Sequence, residues 1–175
     1  NQPPHKNRIT DVVDRLSMLK LAVKENPKFE ILDLEIKRGG VSYTIDTLKE
    51  AVEDWKQIHE NISFELNSEA VVLPKEVEIS LFRVAQECVN NAVKHSGAKS
   101  ISLEVKTSKT TGDLVLSVAD DGKGITPERI TQTDRFGLKG MRDRIQSLGG
   151  KFIVESPERG GTKVSSIVPG SKIKE

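Results

Sequence analysis

The chain has 175 residues, 35% of them hydrophobic, enough for one domain with an ordinary core plus an additional segment. Its 27 basic and 26 acidic side chains leave a net charge of +1, which argues against a nucleic-acid binder held by bulk charge but leaves room for a local phosphate site. The single cysteine, Cys88, excludes an intramolecular disulfide and a multi-cysteine zinc site, and no apolar run approaches the roughly 20 residues of a membrane span.

A reducing, cytoplasmic setting is expected, without direct membrane contact by this stretch. The chain opens on Asn1 rather than Met and shows no signal-peptide pattern, so it reads as a piece of a longer polypeptide, with room upstream for a membrane anchor. Residues 1–6 are polar and carry Pro3-Pro4. From 7 to 24, Ile9, Val12, Val13, Leu16, Leu19 and Val23 fall at helical spacing, and Pro27 ends the run. Residues 29–38 are ambiguous between helix and strand, and Gly39-Gly40 is a break. A second amphipathic helix is expected over 44–59, with Ile45, Leu48, Val52, Trp55 and Ile58 on one face.

The pattern changes near residue 61. Residues 62–66 alternate with period two and read as a strand. A long helix follows over 75–95, its apolar stripe being Val77, Leu81, Val84, Ala85, Cys88, Val89 and Ala92. Strands are expected near 100–106 and 114–119, then a glycine-rich and polar stretch, then a short helix over 137–148 stopped by Gly149-Gly150. Two closing strands, 151–155 and 162–168, are joined by a turn at 157–161. Short connections between successive strands suit an α+β layer, with helices on one face of a mixed, mostly antiparallel sheet. The organisation is thus a helical N-terminal segment, 1–58, and a domain from 59 to 175.

Four groups of residues could carry chemistry. Glu87, Asn91, Lys94 and His95 stand at i, i+4, i+7 and i+8, one face of a helix. An amide, a carboxylate and an ammonium there suit a hydrated Mg²⁺, phosphate oxygens and a general base; the plain alternative is a solvated face. Asp120-Asp121-Gly122-Lys123-Gly124 ends an apolar strand, where a carboxylate can accept an exocyclic amine and glycines admit a close ligand; an ordinary Asp-Gly turn is the alternative. Gly137-Leu138-Lys139-Gly140 opens a helix, where free N–H groups and the dipole favour anions. Gly160-Gly161-Thr162 enters the last strand, and its hydroxyl could reach a base directly or through water.

Taken together and in this order, the runs LFRVAQECVNNAVKHSGA, LVLSVADDGKGI, FGLKGMRDRIQSLGGKFIVES and GGTKV closely resemble the catalytic domain of two-component sensor histidine kinases, in the nitrate-sensor-like branch with a short ATP lid. The resemblance covers about residues 60 to 170 and extends to the wider Bergerat-fold group that includes DNA gyrase, a heat-shock chaperone and a mismatch-repair ATPase. It implies a Bergerat two-layer sandwich that binds ATP and Mg²⁺. It assigns Mg²⁺ to Asn91, a place by the metal and γ-phosphate to Glu87, phosphate contacts to Lys94 and His95, and the adenine amino group to Asp120. Gly122 and Gly124 would shape the adenine pocket, Gly137 and Gly140 the triphosphate cradle after a lid near 126–135, and Thr162 would support Asp120; Arg135 and Lys139 are further phosphate candidates. Glu87 and Asn91 would be the catalytic pair. The implied partners are a phosphoacceptor (dimerisation) domain and a response regulator.

The sequence departs from that family in one respect. His5, His59 and His95 are its only histidines, and none sits in the Leu-His-Asp setting of a phosphoacceptor. The γ-phosphoryl would therefore go to a histidine outside this stretch. The alternatives are an ATP-binding regulatory module without transfer, or an anti-sigma-type serine kinase. Residues 7–25 and 44–59 are either an association surface or helices packed on the same domain.

Overall fold

The computed structural model describes residues 44–126, 136–157 and 160–173, together with Met18. The chain divides into two compact units, Asn1–Ser42 and Tyr43–Glu175. Of the first, only Met18 is described; it is helical and exposed. The helix expected over 7–24, the ambiguous stretch 29–38, and His5 lie outside the described residues.

The second unit opens with α1, Thr44–Ile58. Ile45, Leu48, Ala51, Val52 and Trp55 are buried while Lys49, Glu50, Glu53 and Lys56 are exposed, the division a helical repeat of apolar residues dictates. The helix lies in the same unit as the sheet, although the sequence grouped it with the N-terminal segment. Of the two readings of its apolar face, packing on its own domain is the one observed. Trp55 meets Phe64 with ring centroids 6.2 Å apart, and His59 is half-buried with its ring 6.3 Å from the same Phe64.

Strand β1, Ser63–Ser68, leads through Pro74 into α2, Lys75–Asn91. Pro74 precedes a run whose buried side chains are Val77, Leu81, Val84, Ala85, Cys88 and Val89, as the apolar stripe predicts. Glu78, also buried, accepts a 3.2 Å bond from Thr47 Oγ1 across the α1–α2 contact. The helix was expected to continue to His95. It stops at Asn91 and widens into a π-helical turn, Ala92–Ser96. Ser96 explains the change. Its Oγ donates to the Ala92 carbonyl at 2.8 Å and accepts from Ala98 N–H at 3.0 Å, competing with the regular ladder.

Strands β2, Ser100–Thr107, and β3, Leu114–Asp120, form a hairpin; α3, Phe136–Ser147, precedes β4, Lys151–Glu155, and β5, Thr162–Val168. The sheet order is β1-β2-β3-β5-β4, with β1 parallel to β2 and every other pairing antiparallel. This is the mixed, mostly antiparallel sheet expected. Alternation puts Ile101, Leu103, Val105, Leu114, Leu116, Val118, Val164 and Val168 on one buried face, which Met141 and Ile145 of α3, Leu148 just after it and the stripe of α2 cover. On the other face Ser117 and Ser165 stand opposite one another, hydroxyls 3.3 Å apart.

Two polar details of this frame are testable. Ser166 is fully buried between Leu116 and Phe152 in the register, and its Oγ has no hydrogen-bond partner among the described residues. A buried hydroxyl without a partner costs stability, so Ser166→Ala should raise the urea-unfolding free energy by about 1 kcal/mol. A loss of similar size would show that the hydroxyl is bonded. Asp121 Oδ1 accepts from Ser100 N–H at 2.9 Å and Lys99 N–H at 2.8 Å, which holds its carboxyl below the usual carboxylate value. A lowered folded value stabilises above the unfolded one, and that contribution is lost as pH falls through it. Asp121→Asn should therefore trail the parent by a constant margin above about pH 5 and by a shrinking one below about pH 4, read from unfolding midpoints across pH 3–7. A margin that widens toward acid would exclude the assignment.

Candidate functional site

Helix α2, its π-turn, the C-terminal end of β3, the start of β5 and the first turn of α3 surround one cavity of about 600 Å³. That volume suits a nucleotide-sized ligand. Eight of the residues singled out from sequence line it: Glu87, Asn91, Lys94, His95, Asp120, Gly124, Gly137 and Thr162.

Glu87 and Asn91 are half-buried and bonded to one another, Asn91 Nδ2 donating to Glu87 Oε1 at 3.3 Å. This pair uses the amide's nitrogen and leaves its carbonyl oxygen available to a cation. Gly137 closes over them from α3. A Cβ on Gly137 would lie 2.6 Å from Glu87 Oε1, closer than side chains tolerate. Glycine therefore leaves the flexible end of Glu87 in place beside Asn91, and the carboxylate faces the positive end of a helix dipole. Lys94 and His95 are exposed on the π-turn, which rotates them away from the ideal α-helical face that their spacing assumed.

The two aspartates of the Asp-Asp-Gly run separate in role. Asp121 bolts the start of β2, as above, and does not line the cavity. Asp120 lines it, half-buried, and its Oδ1 accepts from Gly122 N–H at 2.9 Å. Its other carboxylate oxygen makes no hydrogen bond among the described residues. The β3–β5 register sets Asp120 directly beside Thr162, which is buried, so an acid and a hydroxyl share one wall. Gly122 is not itself a lining residue; it packs on Ser96. Gly124 holds φ at 77°, a conformation that side-chain-bearing residues avoid, and touches Ser156 Oγ.

Lys139 and Gly140 are exposed and stand apart from the cavity; Gly140 borders a second, shallower groove with Lys75, Ile79 and Arg144. Arg135 and residues 127–134 lie outside the described residues. Sequence reasoning missed Ser96, Lys123, Ile125, Leu138, Met141 and Val164 as lining residues, and placed Cys88 and Ala92 only in the apolar stripe of α2. Met141 and Val164 were legible only as core positions of a helix and a strand. Ser96 had a signal, a polar residue between His95 and Gly97, where a helix must end.

Residues 76–172 match the family described as histidine kinase-, DNA gyrase B-, and HSP90-like ATPase. The signal transduction histidine-protein kinase/phosphatase DegS of Brevibacillus brevis is 31% identical over 167 residues, 92% of this chain and 41% of its own length. The sensor protein VraS of Staphylococcus epidermidis is 30% identical over 141 residues, 80% of this chain and 37% of its own. The chain thus spans less than half of these curated relatives. The histidine kinase domain of the Erythrobacter litoralis EL346 blue-light activated histidine kinase shares the fold, with a TM-score of 0.68 at 18% identity, over 94% of this chain and 88% of that one. The expected Bergerat-type sandwich is borne out.

Cys88 reports on the cavity's interior. It is buried, its Sγ is 3.6 Å from Met141 Sδ, and burial pushes its thiol far above the ordinary range, with the negative charges of Glu87 and Asp120 adding to the effect. The thiolate is the reactive form, so alkylation by iodoacetamide at pH 8 should be at least about 100-fold slower than for a free thiol. Alkylation within about tenfold of glutathione would mean that the thiol is neither buried nor raised.

Proposed function

The chain belongs to the histidine kinase-, DNA gyrase B- and HSP90-like ATPase family, and on that premise we propose that its cavity binds ATP with Mg²⁺ and passes the γ-phosphoryl group to a histidine of a phosphoacceptor domain, for relay to a response regulator. The observation that carries this reading is the opposition of two polar walls in one cavity. The Glu87–Asn91 pair under Gly137 forms one; the Asp120–Thr162 pair across β3 and β5 forms the other.

The second wall suits the base. The Asp120 oxygen left free by Gly122 accepts an N–H from the adenine amino group, and the Thr162 hydroxyl is placed to reach the same edge directly or through water. Gly122 and Gly124 keep the loop low enough for the ring to enter. Cys88 and Met141 supply an apolar surface beside it.

The first wall suits the phosphates. No group of three His, Cys, Asp or Glu that could hold a metal occurs among the described residues. A site with few protein oxygens fits Mg²⁺, which takes one or two protein ligands and fills the rest with water and phosphate oxygens. Asn91 would hold it, and when bound it would neutralise charge building up on the transferred group. Lys94 and His95 extend from the π-turn to bind phosphate oxygens, and the open N–H groups of the first turn of α3 add to them. Lys139, in the same turn, stands apart from the cavity and is left without a phosphate role. Gly140 faces the other groove, so the cradling role falls to Gly137.

In the transfer, the bond from the γ-phosphorus to the bridging oxygen breaks and a bond to the acceptor imidazole nitrogen forms, in line. ADP leaves with the bridging oxygen. Glu87 orients the imidazole and takes its proton.

The test uses γ-labelled ATP and Mg²⁺ with this chain, alone and with a separate helical phosphoacceptor domain. Acid-labile, base-stable label on the added domain is expected. Label that survives acid on a serine, or ATP binding with no transfer, would overturn the reading. Asn91→Asp, which replaces a neutral ligand by a charge beside Glu87, should weaken Mg²⁺-ATP binding by about tenfold or more; an unchanged Kd would remove Asn91 from the metal site.

A further inference from the structure

We propose that Ser156, which does not line the cavity, is a positioning residue that sets how tightly the cavity holds its nucleotide, an inference that rests on the ATP reading above. Ser156 follows β4 by one residue. Its single hydroxyl joins two segments that run from neighbouring strands of one wall of the site. It accepts from the backbone N–H of Ile125 at 3.1 Å and donates to the carbonyl of Gly161 at 2.9 Å. Ile125 lies in the stretch that follows β3, and Gly161 ends the turn before β5.

Both segments wall the cavity. Gly124 and Ile125 line it on the loop side, and Thr162, the residue after Gly161, lines it on the strand side. A second bond runs parallel to the first, Gly161 N–H donating to the Gly122 carbonyl at 2.6 Å. Two connections fix the spacing and the angle between the segments, whereas the Gly122 bond alone would act as a pivot. Ser156 is therefore the residue that turns a pivot into a rigid clamp.

The surrounding glycines are shaped for this clamp. Gly124 holds φ at 77°, and a Cβ there would overlap the Ser156 hydroxyl. Gly161 is buried with φ at 86°, against the Asp120 carbonyl. Removing the hydroxyl takes the donor from the Gly161 carbonyl and the acceptor from the Ile125 N–H, which water can then reach, so the two segments lose this tie and are free to move apart. That movement displaces Thr162 relative to Asp120, the pair assigned to the base. Ser156 itself touches no ligand, so its effect falls on affinity rather than on the transfer step.

The experiment compares the unmodified chain with Ser156→Ala and Ser156→Thr, which keeps the hydroxyl. Ser156→Ala should raise the Kd for Mg²⁺-ATP by about tenfold, with the transfer rate at saturating ATP changed by less than about twofold. Ser156→Thr should bind within about threefold of the parent. Amide hydrogen exchange at Ile125, measured without ATP, should quicken by about tenfold or more in Ser156→Ala. If Ser156→Ala fails to fold, Gly124→Ala presses a methyl group on the same hydroxyl and should raise the Kd likewise. An unchanged Kd, an unchanged Ile125 exchange rate, or a loss that Ser156→Thr does not restore overturns the clamp. Failure of the unmodified chain to bind ATP overturns the nucleotide reading instead, and Ile125 exchange then still decides whether the clamp exists.

Discussion

The cavity exists because two helices on one face of the sheet meet at a glycine. At Gly137 the first turn of α3 comes so near Glu87 that a methyl group would collide with the carboxylate. One turn further on, Met141 Sδ meets Cys88 Sγ at 3.6 Å and closes the apolar side of the same contact. Polar approach and apolar packing therefore share one seam. The seam fixes where the helix N-terminus points, and so where the charges of any ligand must sit. A bulkier residue at 137 would push the Glu87 carboxylate aside and disturb its bond with Asn91, while Met141 and Ile145 hold α3 in the core.

The sheet supplies the opposite wall by register rather than by side-chain contact. Strand β5 lies between β3 and β4, which brings Thr162 beside Asp120 although 41 positions separate them in the sequence. A slip of one residue would turn both side chains to the other face, along with Val118, Val164 and the rest of the core. The site's geometry is thus tied to the burial of the most apolar strands. The stretch that follows β3 can be irregular because its backbone N–H groups find partners elsewhere, Asp121 on the Ser100 carbonyl, Lys123 on the Ser96 carbonyl and Ile125 on the Ser156 hydroxyl.

Much of this was legible in the chain itself. Apolar patterning and glycine breaks located the five strands and three α-helices among the described residues of the second unit, since those patterns are what burial on a sheet or along a helix requires, but not the 3₁₀ turn Gly170–Lys172. The polar residues within those elements, Glu87, Asn91 and Asp120, were legible because each interrupts an apolar pattern at a defined phase. Three things were not. The π-turn depends on Ser96 reaching back to the Ala92 carbonyl, a competition that spacing does not reveal. The different tasks of Asp120 and Asp121 depend on which one faces the start of β2. The separation of Gly137 from Gly140 depends on where the helix begins relative to its neighbour, and a shift of three residues carries the second glycine to another groove.

The electrostatics explain why a cavity holding two carboxylates can receive a polyanion. Over the whole chain the charge is only +1, so no long-range attraction brings the ligand in, and screening removes surface contributions beyond roughly 8 Å at physiological salt. Selection must be local. Asp120 is turned toward its own loop by Gly122, and its negative charge serves a neutral donor rather than a phosphate. Glu87 is held by Asn91 and by the α3 N-terminus, so its charge is already partly offset. Lys94 and Lys123 are the cationic side chains at the cavity wall among the described residues, the His95 imidazole also lining it, and all three are exposed, where a charge stands without the cost of burial. A neutral apolar middle, with Cys88 kept as the thiol between the two carboxylates, separates these ends. A ligand with an amine-bearing ring at one end and phosphates at the other satisfies both; a phosphate placed at Asp120 or a bare ring placed at Glu87 satisfies neither.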